Sequence, residues 1–373
     1  MKSVVIAPAE LIGQIAATAA ATFQLGNQQI GCGLVEDADP PFDPHDSQFS
    51  ETVLLKKRAF SCNYRDRTII QWLANASSAV VSADTVPFGY VGSEFVAEVI
   101  DVGPHVTTLA VGDRVIGDNS YPVARGLAQP GVVTNEASAR YDVLPEHKLV
   151  RLPDSMPDDI AAGFSLGAQT AYAMVRKARP QPGASILLTA ARSNTSLCLA
   201  QALNNHDNVY GLTSRTDRAA ALQSLGVRQL LPVDYASPQL LSDALRREWA
   251  ARFDVVFDPF IDVHWHPVSG LLAPDATYVS CGLYHQQPSV EQQLTFSTAD
   301  TFLTFYRLLV QNINLIGNCL GTTDDLTRAL ADYTAGRYSV CIDSVCRGSA
   351  VATFFERSFT APDRLGKVIY CYE

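Results

Sequence analysis

The stretch Ser185-Ile186-Leu187-Leu188-Thr189-Ala190-Ala191-Arg192-Ser193-Asn194-Thr195-Ser196 decides how this chain is read. A short apolar run meets a turn of small and polar residues, and an apolar, alanine-bearing segment follows over 196–205. That is a strand feeding a helix. The unit repeats downstream as 209–214 then 217–225, and as 229–233 then 238–251. Further strands are expected at 254–258, 277–281 and 313–317. Val255-Val256-Phe257 is unbroken apolar, as befits a strand covered on both faces of a parallel sheet. Strands alternating with helices of this length predict βαβ units and a doubly wound α/β domain.

Outward from that core the texture changes. Before residue 150 the sequence reads as short strands at 53–60, 93–102, 112–116 and 141–145, punctuated by Gly-Pro and Gly-Asp turns. Helices are expected within 158–177, then a helix at 324–334 and a last strand at 366–372. The opening residues predict a strand followed by a short amphipathic helix that includes the alanine-rich stretch 16–21. The boundaries drawn from this are a β-rich part over 1–153, a doubly wound part over 154–322, and a return to the first part over 323–373.

Composition narrows the function classes. The 373 residues are 47% apolar and 18% charged, far from a disordered, collagen-like or coiled-coil chain. Lys and Arg number 28 against 38 acids, a net charge of −10, which argues against a bulk grip on nucleic acid or an anionic membrane. Eight scattered cysteines include no Cys-x-x-Cys pair and read as reduced thiols rather than a disulfide framework. Pro8, Glu10 and Gln14 interrupt the only stretch resembling a targeting signal, and no apolar run approaches the ~18 residues of a membrane span. A soluble, cytoplasmic protein is expected.

Several motifs follow one another along the chain. They are Asn63-Tyr64-Arg65-Asp66, Gly92-Ser93-Glu94, Val111-Gly112-Asp113-Arg114-Val115, Ala168-Gln169-Thr170-Ala171-Tyr172, Pro182-Gly183-Ala184 and Leu365-Gly366-Lys367-Val368. In this order and spacing the chain resembles the medium-chain dehydrogenase/reductase superfamily over roughly residues 40 to 373, and most of all its zinc-free quinone oxidoreductase and enoyl reductase branch. The resemblance implies a GroES-like catalytic domain from 1–153 and 323–373, a Rossmann NADP-binding domain at 154–322, and a nicotinamide cofactor in the cleft between them. It also implies no zinc. The zinc-dependent branch places ligands where Asn63, Ser93 and Ala162 stand, and none of these is a good zinc ligand. Cys62 is one position off, on the opposite face of a strand. The structural zinc lobe would fall within 118–141, which contains no cysteine.

The turn after the first Rossmann strand lacks the glycines usual in the family. Arg192, Ser193, Asn194 and Thr195 replace them with small, helix-capping and charged residues around a pyrophosphate site. At the next strand end, Ser214 and Arg215 suit the 2′-phosphate of NADPH, and Asp217 is expected on the first helical turn, pointing away. By resemblance, Lys367 is a second basic contact to the phosphates; the residue alone reads equally well as a surface lysine on an edge strand. Gln169 and Thr170 are implied to approach the nicotinamide, and Cys281, Gly282 and Leu283 to line it. Tyr64, with Asn63 beside it, is the catalytic candidate, as a proton donor or as a packing residue of the cleft. Asp66 and Glu94 read as scaffold acids paired with basic groups. His264 and His266, flanking Trp265, are expected in a loop and not on a metal.

Three functions remain open at this point. The leading one is a zinc-independent, NADPH-dependent reductase of an activated C=C bond or a quinone in a small molecule. The others are a redox-neutral cyclisation or isomerisation on the same fold, and a non-catalytic nucleotide-binding or scaffold protein. A homodimer is expected through the apolar strand at 313–318.

Overall fold

The computed structural model describes residues 1–16, 18–36, 40–75, 88–121, 131–237, 239–285 and 298–373. They form two compact units, Met1–Leu166 with Ile342–Glu373, and Gly167–Cys341. The seams lie at 166/167 and 341/342, where the sequence reading drew them at 153/154 and 322/323. Side-chain contacts explain the difference. The short helix at Asp158–Ala161 packs on strands of the first unit, whereas the helix at Thr323–Thr334 is tied into the second by Arg176–Asp325 and Tyr172–Asp332 bonds. The change of texture at Pro153 marks where strands stop, not where contacts change partners.

In chain order the first unit contributes β1 (Lys2–Pro8), α1 (Ile12–Ile15), β2 (Thr18–Leu25), β3 (Gln28–Glu36), β4 (Thr52–Ser61), α2 (Asp66–Asn75), β5 (Glu94–Val102), β6 (Arg114–Gly117), β7 (Tyr141–Pro145), β8 (Leu149–Arg151) and α3 (Asp158–Ala161). Helix α4 (Ser165–Ala178) leads into the second unit, with β9 (Ile186–Leu188), α5 (Asn194–Ala202), β10 (Val209–Thr213), α6 (Ala219–Ser224), β11 (Gln229–Pro232), α7 (Asp243–Glu248), β12 (Phe253–Asp258), α8 (Ile261–Val268), β13 (Leu272–Ser280), α9 (Thr298–Val310), β14 (Asn314–Gly317) and α10 (Thr323–Thr334). The chain then returns to the first unit as β15 (Ile342–Arg347), α11 (Val351–Phe359) and β16 (Lys367–Cys371). No described helix is long and apolar enough to cross a membrane.

The first unit holds an antiparallel sheet in the order β1-β3-β2 and a larger one in the order β15-β16-β4-β5-β6-β8. Strand β4 is long enough to pair β7 along Thr52–Lys56 and β16 along Ala59–Ser61. Its core interlocks aromatic rings: Phe60 meets Phe354 at 5.0 Å and Tyr370 at 5.6 Å, and Phe23 stacks on Phe355 at 4.9 Å. Strand β15 and helix α11, which supplies Phe354 and Phe355, were not anticipated. The expected amphipathic helix near the start is corrected as well. Among the described residues there only one turn, α1, is helical, and Ala19, Ala20 and Ala21 lie in β2. Alanine favours helix by a fraction of a kcal/mol per residue, which the pairing of β2 along β3 outweighs. Gly31 and Gly33 of β3 let α1 and the following turn pack against the strand: an added Cβ would come within 2.8 Å of Ile12 Cβ and 2.6 Å of Ala16 Cβ.

The second unit is a six-stranded sheet in the order β11-β10-β9-β12-β13-β14, parallel throughout. Leu187, Val256 and Tyr278 are fully buried at its centre, so the unbroken apolar reading of these strands holds. The chain runs outward from β9 to β11, then crosses back to β12. The strand order therefore reverses between β9 and β12, and an open α/β sheet binds ligands at the carboxyl ends of the strands flanking such a reversal.

Candidate functional site

In the first unit, Asn63 and Tyr64 lie in the turn between β4 and α2. The Asn63 side-chain amide donates to Ser93 Oγ at 3.1 Å and to Glu94 Oε2 at 3.0 Å. Its Oδ1 accepts from Lys367 Nζ at 2.6 Å, and Lys367 also pairs with Glu94. Ser93 Oγ donates to Asp66 Oδ2 at 2.7 Å, and Ser61 Oγ and the Leu166 amide donate to Glu94 at 3.1 and 2.6 Å. Lys367, Glu94, Ser93, Asp66 and Ser61 are all buried. Burial raises the Asp66 carboxyl, against the pull of Arg65, the Asn63 amide and Ser93, and burial pushes the Cys62 thiol well up, which makes it a poor nucleophile or metal ligand.

Two backbone features bring Lys367 here. Gly366 sits at φ 111°, a conformation side chains rarely adopt, and a Cβ on Gly163 would come within 3.1 Å of Lys367 Cγ. Lys367 is thus neither a surface residue nor on an edge strand: β16 lies between β15 and β4, and the residue is 1% exposed. Its ammonium supplies a positive charge where the side chains of Asn63 and Ser93, at two positions where the zinc-dependent branch has ligands, bond to each other. Ala162, at the third, is buried and offers no ligand atom. Among the described residues no group of three or more His, Cys, Asp or Glu is placed to hold a metal. Tyr64 is half-buried, and its hydroxyl accepts from Arg67 Nη1 at 3.4 Å.

In the second unit, the glycine-free turn is held by its own side chains. Ala190 takes the left-handed conformation at φ 42°, where glycine is usual. Ser193 caps α5, its Oγ accepting from the Ser196 amide at 3.2 Å, while Ser196 Oγ donates to the Thr189 carbonyl at 2.7 Å. Asn194 and Thr195 form the first turn of that helix, whose amino end sits directly after β9. Arg192 Nη1 and Arg215 Nε both reach Asp217 Oδ1, at 2.9 and 3.3 Å. This corrects the placing of Asp217. Helix α6 begins only at Ala219, so Asp217 stands in the turn before it and faces the arginines. Slight desolvation acts upward on its carboxyl, but the charges of Arg192 and Arg215 hold it below the usual value. Ser214 is exposed beside them.

The remaining expected residues are placed as follows. Gln169 is fully buried in α4 and donates to the Thr322 carbonyl at 2.9 Å, with Thr170 buried next to it. Cys281, Gly282 and Leu283 follow β13. Burial, with the Asp258 charge adding to it, pushes the Cys281 thiol up to about 12. A Cβ on Gly282 would approach the Pro259 carbonyl oxygen to 2.7 Å, and Leu283 is exposed. Lys367 belongs to the first unit and is spent on Glu94 and Asn63.

Sequence reasoning missed one centre. Asp258, fully buried at the end of β12, accepts from Thr189 Oγ1 at 2.5 Å, His264 Nδ1 at 2.7 Å, the Phe260 amide at 2.9 Å and the Tyr278 hydroxyl at 2.5 Å. With Nδ1 donating, His264 Nε2 accepts from the Tyr235 hydroxyl at 3.0 Å. Burial and the Asp258 charge raise the Tyr235 phenol above its usual range. His264 and His266 therefore lie in helix α8 and not in a loop, and His264 is an oriented core residue. The signal was present: Asp258 closes the apolar run Val-Val-Phe-Asp, and a carboxylate buried there demands donors.

Residues 50–154 match the alcohol dehydrogenase GroES-like domain. The L-threonine 3-dehydrogenase of Chelativorans sp. (strain BNC1) is 34% identical over 139 residues, 34% of this chain and 37% of that protein. A quinone oxidoreductase-like protein 2 homolog from Nematostella vectensis is 32% identical over 140 residues, 36% of this chain and 34% of that protein. The chain thus spans about a third of the length of these curated relatives. A thermostable alcohol dehydrogenase from Pyrobaculum aerophilum superposes with a TM-score of 0.71 at 25% identity, covering 94% of this chain and 98% of its own. Residues 50–154 are thus similar to a GroES-like domain, and the two-unit α/β architecture matches the fold of the medium-chain dehydrogenase/reductase superfamily. These matches mix dehydrogenases with a quinone oxidoreductase-like protein and single out no branch.

Proposed function

We propose that this chain is a zinc-independent oxidoreductase that takes NADPH at the carboxyl ends of β9, β10 and β12 and reduces an activated C=C bond or a quinone in a small molecule. The observation that carries the reading is the convergence of Arg192 and Arg215 on Asp217 just past β10. Two guanidinium groups and one carboxylate leave a net positive charge where a 2′-phosphate is recognised in such folds. The capped amino end of α5, directly after β9, suits a pyrophosphate, although Ser193 already takes the Ser196 amide. When bound, the nicotinamide supplies the hydride. Tyr64 is then the chain's proton donor, and Lys367 holds Asn63 and Glu94 in place. The quinone oxidoreductase-like relative supports the reaction class.

Asp217 tunes the cofactor preference, because a 2′-phosphate must compete with it for the two arginines. Fluorescence titration of NADPH and NADH tests this. NADPH should bind about tenfold or more tightly than NADH, Arg215→Ala should remove most of that gap, and Asp217→Asn should widen it. Equal affinities in the wild type would refute the NADPH assignment, and binding of neither cofactor would sink the oxidoreductase reading.

We also propose a homodimer through β14. Among the described residues this edge strand pairs only β13, Leu315 on it is exposed, and α9 exposes Phe302, Phe305, Tyr306 and Leu309. Such an apolar edge invites a second strand. A monomer by light scattering at micromolar concentration would count against it.

A further inference from the structure

A pocket of about 360 Å³ opens in the second unit, between the carboxyl-terminal turns of α4 and α5 and the outer face of α10. It lies at the amino ends of β9 and β10, opposite the strand ends where a dinucleotide is proposed to bind. Its volume is near the lower limit of ligand pockets, roughly 300–1,000 Å³. Tyr172, Arg176, Arg179, His206, Arg328 and Asp332 line it.

The charges there do not cancel. Arg176 is held by both oxygens of Asp325 at 2.8 Å each, and Asp332 accepts from the Tyr172 hydroxyl at 2.6 Å and from Arg337 Nε at 3.0 Å. Those groups are spent in pairs. Among the described residues, Arg179 and Arg328 make no side-chain hydrogen bond or ion pair, although Asp332 feels the Arg328 charge. One backbone feature adds to this. Arg179 also occupies the left-handed conformation at φ 49°, just past the end of α4, where glycine is usual. Holding a side chain other than glycine in that conformation costs free energy.

We propose that this pocket binds a small oxyanion, the phosphate or carboxylate group of a metabolite, with Arg179 and Arg328 donating to it. The carbonyl ends of α4 and α5 alone favour a cation here. Two uncommitted guanidinium groups reverse that sign, and their fork geometry matches an oxyanion. The site is separate from the proposed cofactor crevice and marks a second ligand that reaches the cofactor domain from its other end.

The test is the thermal midpoint of the full chain in inorganic phosphate or malonate, against chloride at equal ionic strength, with calorimetry for the affinity. A saturable rise is expected in the wild type. The rise should persist in Arg192→Ala/Arg215→Ala, which disables the crevice, and affinity should fall at least about tenfold in Arg179→Ala/Arg328→Ala. Arg179→Gly provides a second variant that relieves the left-handed strain: it should raise the basal midpoint and still weaken the anion. A response to phosphate alone assigns a phosphoryl ligand, to malonate alone a carboxylate, and to both a general oxyanion site. No saturable rise with either anion overturns the proposal. So does a rise that survives Arg179→Ala/Arg328→Ala, or one lost only when Arg192 and Arg215 are removed.

Discussion

Glu94 at the head of β5 and Asp258 at the tail of β12 are both buried carboxylates, yet the molecule stabilises them by opposite means. Glu94 faces a full positive charge, Lys367, with Asn63, Ser61 and the Leu166 amide filling its remaining sites. Asp258 bonds no lysine or arginine among the described residues and is held by two hydroxyls, an imidazole and an amide. The first is an ion pair whose members depend on each other. The second is a carboxylate in a cage of dipoles, each replaceable at a modest cost. A buried ion pair broken on one side leaves an uncompensated charge, whereas a dipole cage losing its acceptor leaves donors unsatisfied.

The largest expected effect follows from that contrast. Lys367→Met should destabilise the first unit by about 3–5 kcal/mol, and adding Glu94→Gln should restore part of the loss by removing the stranded charge. Urea unfolding measures both, and a double variant no more stable than Lys367→Met would contradict the ion-pair account. Tyr64→Phe should lower turnover on the order of 100-fold with the unfolding midpoint unchanged. A loss under about threefold would return Tyr64 to a packing role. Asp258→Asn should cost about 1–3 kcal/mol, less than Lys367→Met, because an amide oxygen still accepts from some of the four donors. A larger loss than Lys367→Met would reverse the comparison.

The smallest effect is a pair of opposite acid responses. Burial raises the Asp66 carboxyl in the fold, so the ionised form costs stability above that raised value, and the cost disappears as pH falls below it. For Asp325, burial acts upward but Arg176 and Thr322 prevail and hold the carboxyl low. Its stabilisation is present above the unfolded value, about 3.9, and is lost as pH falls through the folded one. On acidification the wild type should gain on Asp66→Asn and lose its advantage over Asp325→Asn. Parallel trends for the two variants would show that one of these assignments is wrong.

Residue patterns along the chain were enough for the βαβ series, because a strand buried on both faces must be apolar throughout and its length limits it to one crossing of the sheet. They were also enough to see that Asn63, Ser93 and Ala162 lack good zinc-ligand atoms, since coordination chemistry is a property of side-chain type. Short range failed where partners were distant. The alanines of β2 carry helix propensity, and only pairing along β3 makes them a strand. Lys367 looked like a surface or phosphate-binding lysine because Glu94, its partner, is 273 residues away in the chain. Asp217 sits two residues from Arg215, yet its direction depended on α6 starting later than the pattern implied. The Asp258 cage draws on Thr189, Tyr278 and His264, from the ends of two strands and a helix. Its residues are unremarkable one at a time, and only the parallel register that aligns β9, β12 and β13 sets their polar atoms within bonding distance.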